Sequence, residues 1–256
     1  MATMTTTRPR FHPHRTYPQR TALLRATSQI PGATAALLRL CPGLIMDRVP
    51  CSLEDPHDEH LHGTRLAICG LPRTGTTFLS RAARDYLGSA QQVWKSHDPF
   101  MPRDFISRGI PVVITLRPVW DTAISKSIYH GDPISRDALV QRLSLITTWH
   151  RLMGQERSHP LMRAWNFETF TVDPQSTLER TLPATVGGRV DPVAVVAAVS
   201  ATDDHEHISA SQAHTPSQDR RALRARYETY AADAKIQRHL AIAVEAQERV
   251  RQNHAA

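Results

Sequence analysis

The chain has 256 residues, of which 41% are hydrophobic and 21% are charged, as in an ordinary globular protein that folds in water. This length suffices for one α/β domain with a full core and an appendage. No apolar run is long enough to cross a bilayer, so we expect no membrane span. The formal charge of +7 favours anionic partners such as phosphorylated nucleotides, although a basic tail and a solvated surface would account for the same charge.

The N-terminal part predicts little regular structure. Residues 1–20 are rich in Thr, Arg, Pro and His, and no acidic residue precedes Asp47, so we predict a disordered basic tail. An organelle transit peptide has the same composition, and this alternative stays open. Residues 21–63 are interpreted as a connection with a short helix at 33–40. No secretory signal is recognised, and we expect a cytoplasmic protein.

Strands alternate with helices from Leu66 onward. Apolar runs predict strands at 66–70, 92–96 and 111–116, with helices at 76–87 and 119–129. This alternation predicts a three-layer α/β fold, in which helices cover both faces of a parallel sheet. Ligands of such sheets bind beyond the carboxyl ends of the strands, where Gly70, His97 and Arg117 fall.

The second half of the chain predicts mostly helix. Apolar residues recur at helical spacing in 137–153, and Pro stands at the start of two further helical stretches, 174–182 and 192–199. The remaining predictions are a strand at 161–167, a polar loop at 202–217 and a long helix or helix pair at 218–252. We therefore expect one domain over 64–256 with a helical C-terminal part.

The segment from Gly70 to Thr77 has the layout of a phosphate-binding loop. A strand, the spacing Gly70-x-x-x-x-Gly75 and a helix start bring backbone N–H groups and the positive end of a helix dipole together. A P-loop continues with Lys and Ser/Thr, but here Thr76 and Thr77 follow, and the cation stands inside the loop at Arg73. This change argues against ordinary ATP or GTP hydrolysis, because the P-loop lysine reaches the β- and γ-phosphates of a triphosphate.

The run Pro72-Arg-Thr-Gly-Thr-Thr-Phe78 resembles the 5′-phosphosulfate loop of sulfotransferases that use 3′-phosphoadenosine 5′-phosphosulfate (PAPS). A second run, a strand ending in Arg117 with Asp121 and Ser125 on the next helix, resembles the family's 3′-phosphate motif. A weaker likeness lies at Phe167-Glu-Thr-Phe170, where the family has Tyr-Glu-Asp-Leu. The resemblance covers roughly residues 64–185. The two phosphate motifs in this order are more specific than the first alone.

The resemblance implies a P-loop-like fold, PAPS as sulfuryl donor, and a small-molecule or glycan acceptor with a hydroxyl or amine group. The residues implied in donor binding are Pro72, Arg73, Thr74, Gly75, Thr76 and Thr77 for the 5′-phosphate end, Arg117 and Ser125 for the 3′-phosphate, and Phe78 and Phe167 for the adenine. Phe78 and Phe167 would serve equally well as core residues.

The resemblance also implies the catalytic residues. Arg73 would stabilise the leaving phosphate oxygen, and Lys95 would balance charge near the sulfuryl group. Lys95-Ser-His97 resembles the family's Lys-Thr-His segment, in which the His is the base, and an imidazole titrates near neutral pH. Asp98 is the alternative base, because other branches of the family use an acidic residue. No metal is expected to take part.

One family feature is missing, since no Arg-Lys-Gly segment closes the 3′-phosphate site. Arg220, Arg221 or Arg224 would have to replace it. Two other classes of function stay open. The first is a P-loop nucleotide or small-molecule kinase, and the second is a non-catalytic protein that binds nucleic acid or a protein partner. Within the second class, we do not expect nucleic acid to be the partner.

Overall fold

A computed structural model describes residues 63–89, 92–99, 101–154, 158–183, 188–205 and 217–255, apart from the side chains of 202–205. These residues all belong to the compact unit that spans Cys51–Ala256. The expected basic tail at 1–20, and the connection with its short helix up to residue 62, lie outside the described residues. Within the described ranges, no helix is both long and apolar enough to cross a lipid bilayer.

The described residues form four strands and nine helices. The strands are β1 (Leu66–Gly70), β2 (Val93–Ser96), β3 (Val112–Leu116) and β4 (Met162–Asn166). The helices are α1 (Thr76–Leu87), α2 (Met101–Ser107), α3 (Val119–His130), α4 (Arg136–Met153), α5 (Phe167–Val172), α6 (Pro174–Thr181), α7 (Pro192–His205), α8 (Gln218–Glu228) and α9 (Ala234–Asn253).

All strands are parallel, in the order β2-β1-β3-β4. Every residue of the central strands β1 and β3 is buried. Since successive side chains point to opposite faces of a strand, both faces of the sheet must be covered. The structure thus confirms the predicted α/β class, with a parallel sheet flanked by helices.

One face of the sheet packs on helix α1. Leu66 and Ile68 of β1 join Leu79 and Ala83 of α1 in a single buried cluster that extends to Trp165 of β4. Burying a side chain of leucine or isoleucine size stabilises a fold by roughly 1.5–3 kcal/mol. These contacts fix where β1 ends and α1 begins, and so they position the loop between them.

The structure differs from the prediction in three segments. Helix α7 continues to His205, into the stretch predicted as a loop from Thr202, because nothing between them breaks a helix. Helix α2 forms in an expected connection, since Pro102 stands in its first turn, where proline is tolerated. Phe167, expected to end a strand, is the first residue of α5. Helices α2 and α5 have only 7 and 6 residues, which is too few for a helical period to show in the sequence.

The C-terminal stretch is a helix pair, one of the two predicted alternatives. Helix α8 ends at Glu228, and α9 begins after Asp233, whose carboxylate accepts hydrogen bonds from the backbone N–H groups of Lys235 and Ile236. Such an N-cap satisfies donors that the first turn of a helix leaves unpaired. The break separates two helices that meet the rest of the domain in different ways.

Candidate anion-binding and catalytic site

The loop between β1 and α1 is held in a tight left-handed turn. Gly75, the N-cap of α1, has φ 88°, and Arg73 has φ 76°, the only positive φ of a non-glycine residue in the part of the chain that the structure describes. The Thr74 hydroxyl donates to the Leu71 carbonyl at 2.7 Å and lies 2.7 Å from the Thr115 hydroxyl of β3. These hydrogen bonds tie the loop to the centre of the sheet.

Two loop positions admit only glycine. A Cβ atom on Gly70 would lie 2.1 Å from the Thr115 hydroxyl oxygen. A Cβ atom on Gly75 would lie 2.7 Å from ring atoms of both Phe167 and Phe170, at a φ that other residues rarely adopt. The glycines therefore let the loop backbone pass close to β3 and α5.

The other loop residues differ in exposure. Pro72, Thr74 and Thr76 are buried, whereas Arg73, Thr77 and Phe78 are partly exposed. Thr76 and Thr77 occupy the first turn of α1, where backbone N–H groups have no partner within the helix. The positive end of the α1 dipole lies at the same place, which favours an anion there.

Arg73 and Arg220 both reach Ser125 of α3, and Arg117 contacts the backbone of Arg73; we call these three residues the arginine cluster. The Arg73 Nε donates to the Ser125 hydroxyl at 3.3 Å, and the Arg220 guanidinium of α8 donates to the same oxygen. The Arg73 guanidinium also lies 5.1 Å from the centroid of the Tyr129 ring. Two guanidinium groups at one hydroxyl bring positive charge to this place, which favours an anion there.

Arg117 joins the cluster to the loop backbone. Its Nη1 donates to the Arg73 carbonyl at 3.2 Å, and its guanidinium lies 4.8 Å from the centroid of the Phe167 ring. Burial lowers the pKa of Arg117, and the nearby Asp121 carboxylate opposes that shift. The buried Nε of Arg117 has no hydrogen-bond partner among the described residues. Arg117 thus supports the left-handed turn at Arg73 and adds positive charge beside it.

The end of β2 lies beside the loop on the other side of β1. Lys95 donates to the Thr77 hydroxyl at 3.4 Å. The His97 Nδ1 lies 2.6 Å from the Gly70 carbonyl oxygen, and Trp149 Nε1 donates to the His97 carbonyl at 3.0 Å. A carbonyl oxygen only accepts, so Nδ1 carries the proton and Nε2 is the nitrogen able to take another.

The alternative base, Asp98, is more deeply placed than His97. Asp98 is only 3% exposed, whereas His97 is partly exposed. Burial and, to a lesser extent, the Asp98 carboxylate raise the pKa of the buried Cys69 thiol. Cys69 is therefore an inert core residue. The exposure of His97 makes it the group that a substrate can reach more easily than Asp98.

The two aromatic residues assigned to the adenine both contact Phe170 of the core. The Phe78 and Phe170 rings stack with centroids 6.4 Å apart, and the Phe167 ring meets Phe170 edge-on at 5.6 Å. Phe78 and Phe167 are themselves only partly buried. Both rings thus line the border between the core and the loop.

Sequence reasoning missed Tyr129 and left the role of Arg220 open among three arginines. Tyr129 stands four residues after Ser125, which in turn follows Asp121 by four. Residues at this spacing lie on one face of a helix, so the spacing was a usable signal for Tyr129. No pattern in the sequence identified Arg220, because its contact with Ser125 joins residues far apart in the chain.

Comparison of the chain with protein-family models, curated proteins and solved structures finds no match. Any functional inference therefore depends on the motif residues and on their geometry.

Proposed function

We propose that the chain is a PAPS-dependent sulfotransferase with a P-loop-like fold, which transfers a sulfuryl group to a hydroxyl or amine of a small molecule or glycan. The observation that carries this proposal is the approach of Arg73 and Arg220 to Ser125, next to a glycine loop at the carboxyl ends of β1 and β3. A ligand with two separated phosphate groups suits such a pair of neighbouring anion sites.

The arginine cluster has the chemistry to hold the 3′-phosphate. Guanidinium groups donate two hydrogen bonds in a plane, and the Ser125 hydroxyl can donate a third. The backbone N–H groups of residues 75–77 would hold the 5′-phosphate end, with Arg117 supporting the turn before them. The missing Arg-Lys-Gly segment is thus replaced, in this proposal, by Arg220 from α8.

When bound, PAPS supplies a sulfuryl group whose bond to the 5′-phosphate oxygen breaks as its bond to the acceptor atom forms. His97 accepts the acceptor's proton at Nε2, because its Nδ1–H is engaged by the Gly70 carbonyl. That hydrogen bond also fixes the ring beside the loop. Lys95 and Thr77, which lie next to each other, would stabilise the negative charge that collects between donor and acceptor.

Two features favour this function over the kinase alternative. Thr76 stands where a P-loop kinase has the lysine that binds the β- and γ-phosphates. The guanidinium groups of Arg73, within the loop, and of Arg220 on α8 meet instead at Ser125 of α3. This arrangement matches two phosphates on different parts of one nucleotide better than a linear triphosphate.

Calorimetry on the full chain tests the proposal directly. We expect adenosine 3′,5′-bisphosphate to bind at least tenfold more tightly than ATP with Mg²⁺, since losing the 3′-phosphate removes roughly 1.5–3 kcal/mol of charge-assisted hydrogen bonding. Tight binding of ATP with Mg²⁺, and none of the bisphosphate, would overturn the assignment and favour a kinase.

Transfer assays with labelled PAPS and a panel of phenols, alcohols, amines and sugars test the chemistry. For the acceptor found, His97→Ala should lower kcat by about 10²–10⁴-fold while bisphosphate affinity is kept. His239→Ala, on α9 and outside the site, is the matched control. Unchanged turnover in His97→Ala would remove His97 from the mechanism and direct attention to Asp98.

A further inference from the structure

Helix α8 meets α3 through a row of polar contacts. Arg220, Arg224 and Glu228 are spaced by four residues and so lie on one face of α8. Asp121 and Ser125 have the same spacing on α3. Arg220 donates to Ser125, and Arg224 forms an ion pair with Asp121. The matched spacing brings both pairs together at once.

Asp121 belongs to the run that resembles the 3′-phosphate motif, yet it places a negative charge beside the proposed anion site. Its carboxylate lies close enough to Arg117 to favour the charged form of that guanidinium. A carboxylate beside an anion site repels the anion, so Asp121 weakens binding through its charge alone. The contacts of Asp121 indicate a different contribution, because Arg224 bridges Asp121 to Glu228. The Glu228 carboxylate lies 3.0 Å from Arg224 and accepts a hydrogen bond from Trp120 Nε1 at 2.7 Å.

The two ends of α8 are held differently. Near its C-terminal end, Tyr227 donates to the Asp132 carbonyl at 2.8 Å, and Tyr230, just beyond the helix, donates to the Ile134 carbonyl at 3.3 Å. Tyr227 is the one buried residue of α8, all of which lies in the described part of the chain. The N-terminal half, which carries Arg220, therefore has no buried apolar side chain to hold it against α3.

We infer that Asp121 and Arg224 are positioning residues, whose ion pair docks the N-terminal half of α8 on α3 and thereby places Arg220 at Ser125. The anion site is complete only while α8 is docked. The identity of the anion as a nucleotide phosphate depends on the function proposed above, whereas the docking itself does not. Asp121 thus acts on the ligand through Arg224 and Arg220, and it repels the ligand directly.

The direction in which one substitution changes ligand affinity distinguishes a positioning role from a purely electrostatic one. Asp121→Asn removes a negative charge near the anion, so electrostatics alone predicts tighter binding of adenosine 3′,5′-bisphosphate. Positioning predicts that binding weakens, by roughly three- to tenfold, the range of a partly exposed ion pair with its hydrogen bonds. Glu168→Gln is the matched control, since Glu168 is exposed and also acts on Arg117 through its charge. Its affinity should stay the same or rise.

A double-mutant cycle then tests whether Asp121 and Arg224 act together. Arg224→Gln should weaken binding, and the Asp121→Asn/Arg224→Gln double variant should bind no more weakly than the weaker single variant. Thermal melting identifies any variant that fails to fold. If one does, Trp120→Phe is measured in its place; this variant removes the hydrogen bond to Glu228 and leaves Asp121 and Arg224 unchanged, and it should weaken binding by about twofold.

Tighter binding by Asp121→Asn, or losses that add in the double variant, would overturn the positioning role. If the wild-type chain binds no bisphosphate, the proposed function fails, and the same variants are measured with inorganic pyrophosphate. The same order of affinities with pyrophosphate supports the docking role for a different anion. Absence of pyrophosphate binding by the wild-type chain would overturn the inference as well.

Discussion

The two C-terminal helices meet the rest of the domain through opposite kinds of contact. Helix α9 packs on α4 with buried side chains that include Ile236, Ala243 and Val250. Helix α8 meets α3 through arginine, carboxylate, hydroxyl and indole groups. The apolar contact of α9 stabilises the fold, whereas the polar contact of α8 places the Arg220 guanidinium at Ser125, next to Arg73 of the loop. The difference indicates that changes in α9 should alter stability and changes in α8 should alter ligand binding.

The largest expected effect is on stability, from Ile236→Ala in α9. Ile236 is fully buried, so its truncation should lower the free energy of unfolding by about 2–5 kcal/mol. Ile242→Ala makes the same chemical change on the same helix at a side chain that is 37% exposed, and it should cost less than about 1 kcal/mol. Urea unfolding measures both, and bisphosphate affinity of the folded protein should not change. A loss of affinity in folded Ile236→Ala would break the proposed division between the helices.

The next effect is on binding, from Arg220→Gln in α8. Losing one charge-assisted hydrogen bond to a phosphate should weaken bisphosphate affinity by roughly ten- to a hundredfold, while the urea midpoint stays within error of the wild type. Arg221→Gln removes the same charge from the next, exposed position and serves as the control. Calorimetry measures both. Equal losses in the two variants would mean that only the net charge of α8 matters.

The third effect concerns pH at the contact between α4 and α9. Burial lowers the pKa of His150 to about 3, and the Gln247 amide donates to the Arg117 carbonyl at 2.8 Å and lies 3.4 Å from His150 Nε2. Between about pH 6.5 and 3, the unfolded chain binds a proton at His150 that the folded chain does not. Stability should therefore fall by about 1.4 kcal/mol per pH unit as pH drops through this window.

Urea unfolding of the wild type and of His150→Gln, at pH 7 and pH 5, isolates this single proton. The variant should lose less stability on acidification than the wild type. Burial also lowers the pKa values of His239 and His254, so both proteins keep some acid sensitivity. Identical pH dependence in the two proteins would show that His150 is not neutral in the folded state, and that the contact is wetter than its burial indicates.

The sequence was most informative where local pattern decides structure. The bounds of β1 and α1 follow from an apolar run, two glycines and helical spacing, and they agree with the structure residue by residue. Gly70, His97 and Arg117 were expected at strand ends, and they stand there, because parallel strands end at the same edge of a sheet.

Long-range contacts set the limit of sequence reasoning. Arg73 was expected at the leaving phosphate oxygen, yet its Nε donates to Ser125, which was assigned to the 3′-phosphate. The partner of Asp121 proved to be Arg224, more than a hundred positions later. Such pairs depend on how α8 crosses α3, and no local propensity or spacing encodes that crossing.

A crystal structure of the full chain with adenosine 3′,5′-bisphosphate tests the central claim most directly. The account predicts one phosphate within hydrogen-bonding distance of the Ser125 hydroxyl and the Arg220 guanidinium, and the other at the backbone N–H groups of residues 75–77. A nucleotide bound elsewhere, with Arg73 and Arg220 still sharing Ser125 and no phosphate beside them, would contradict it.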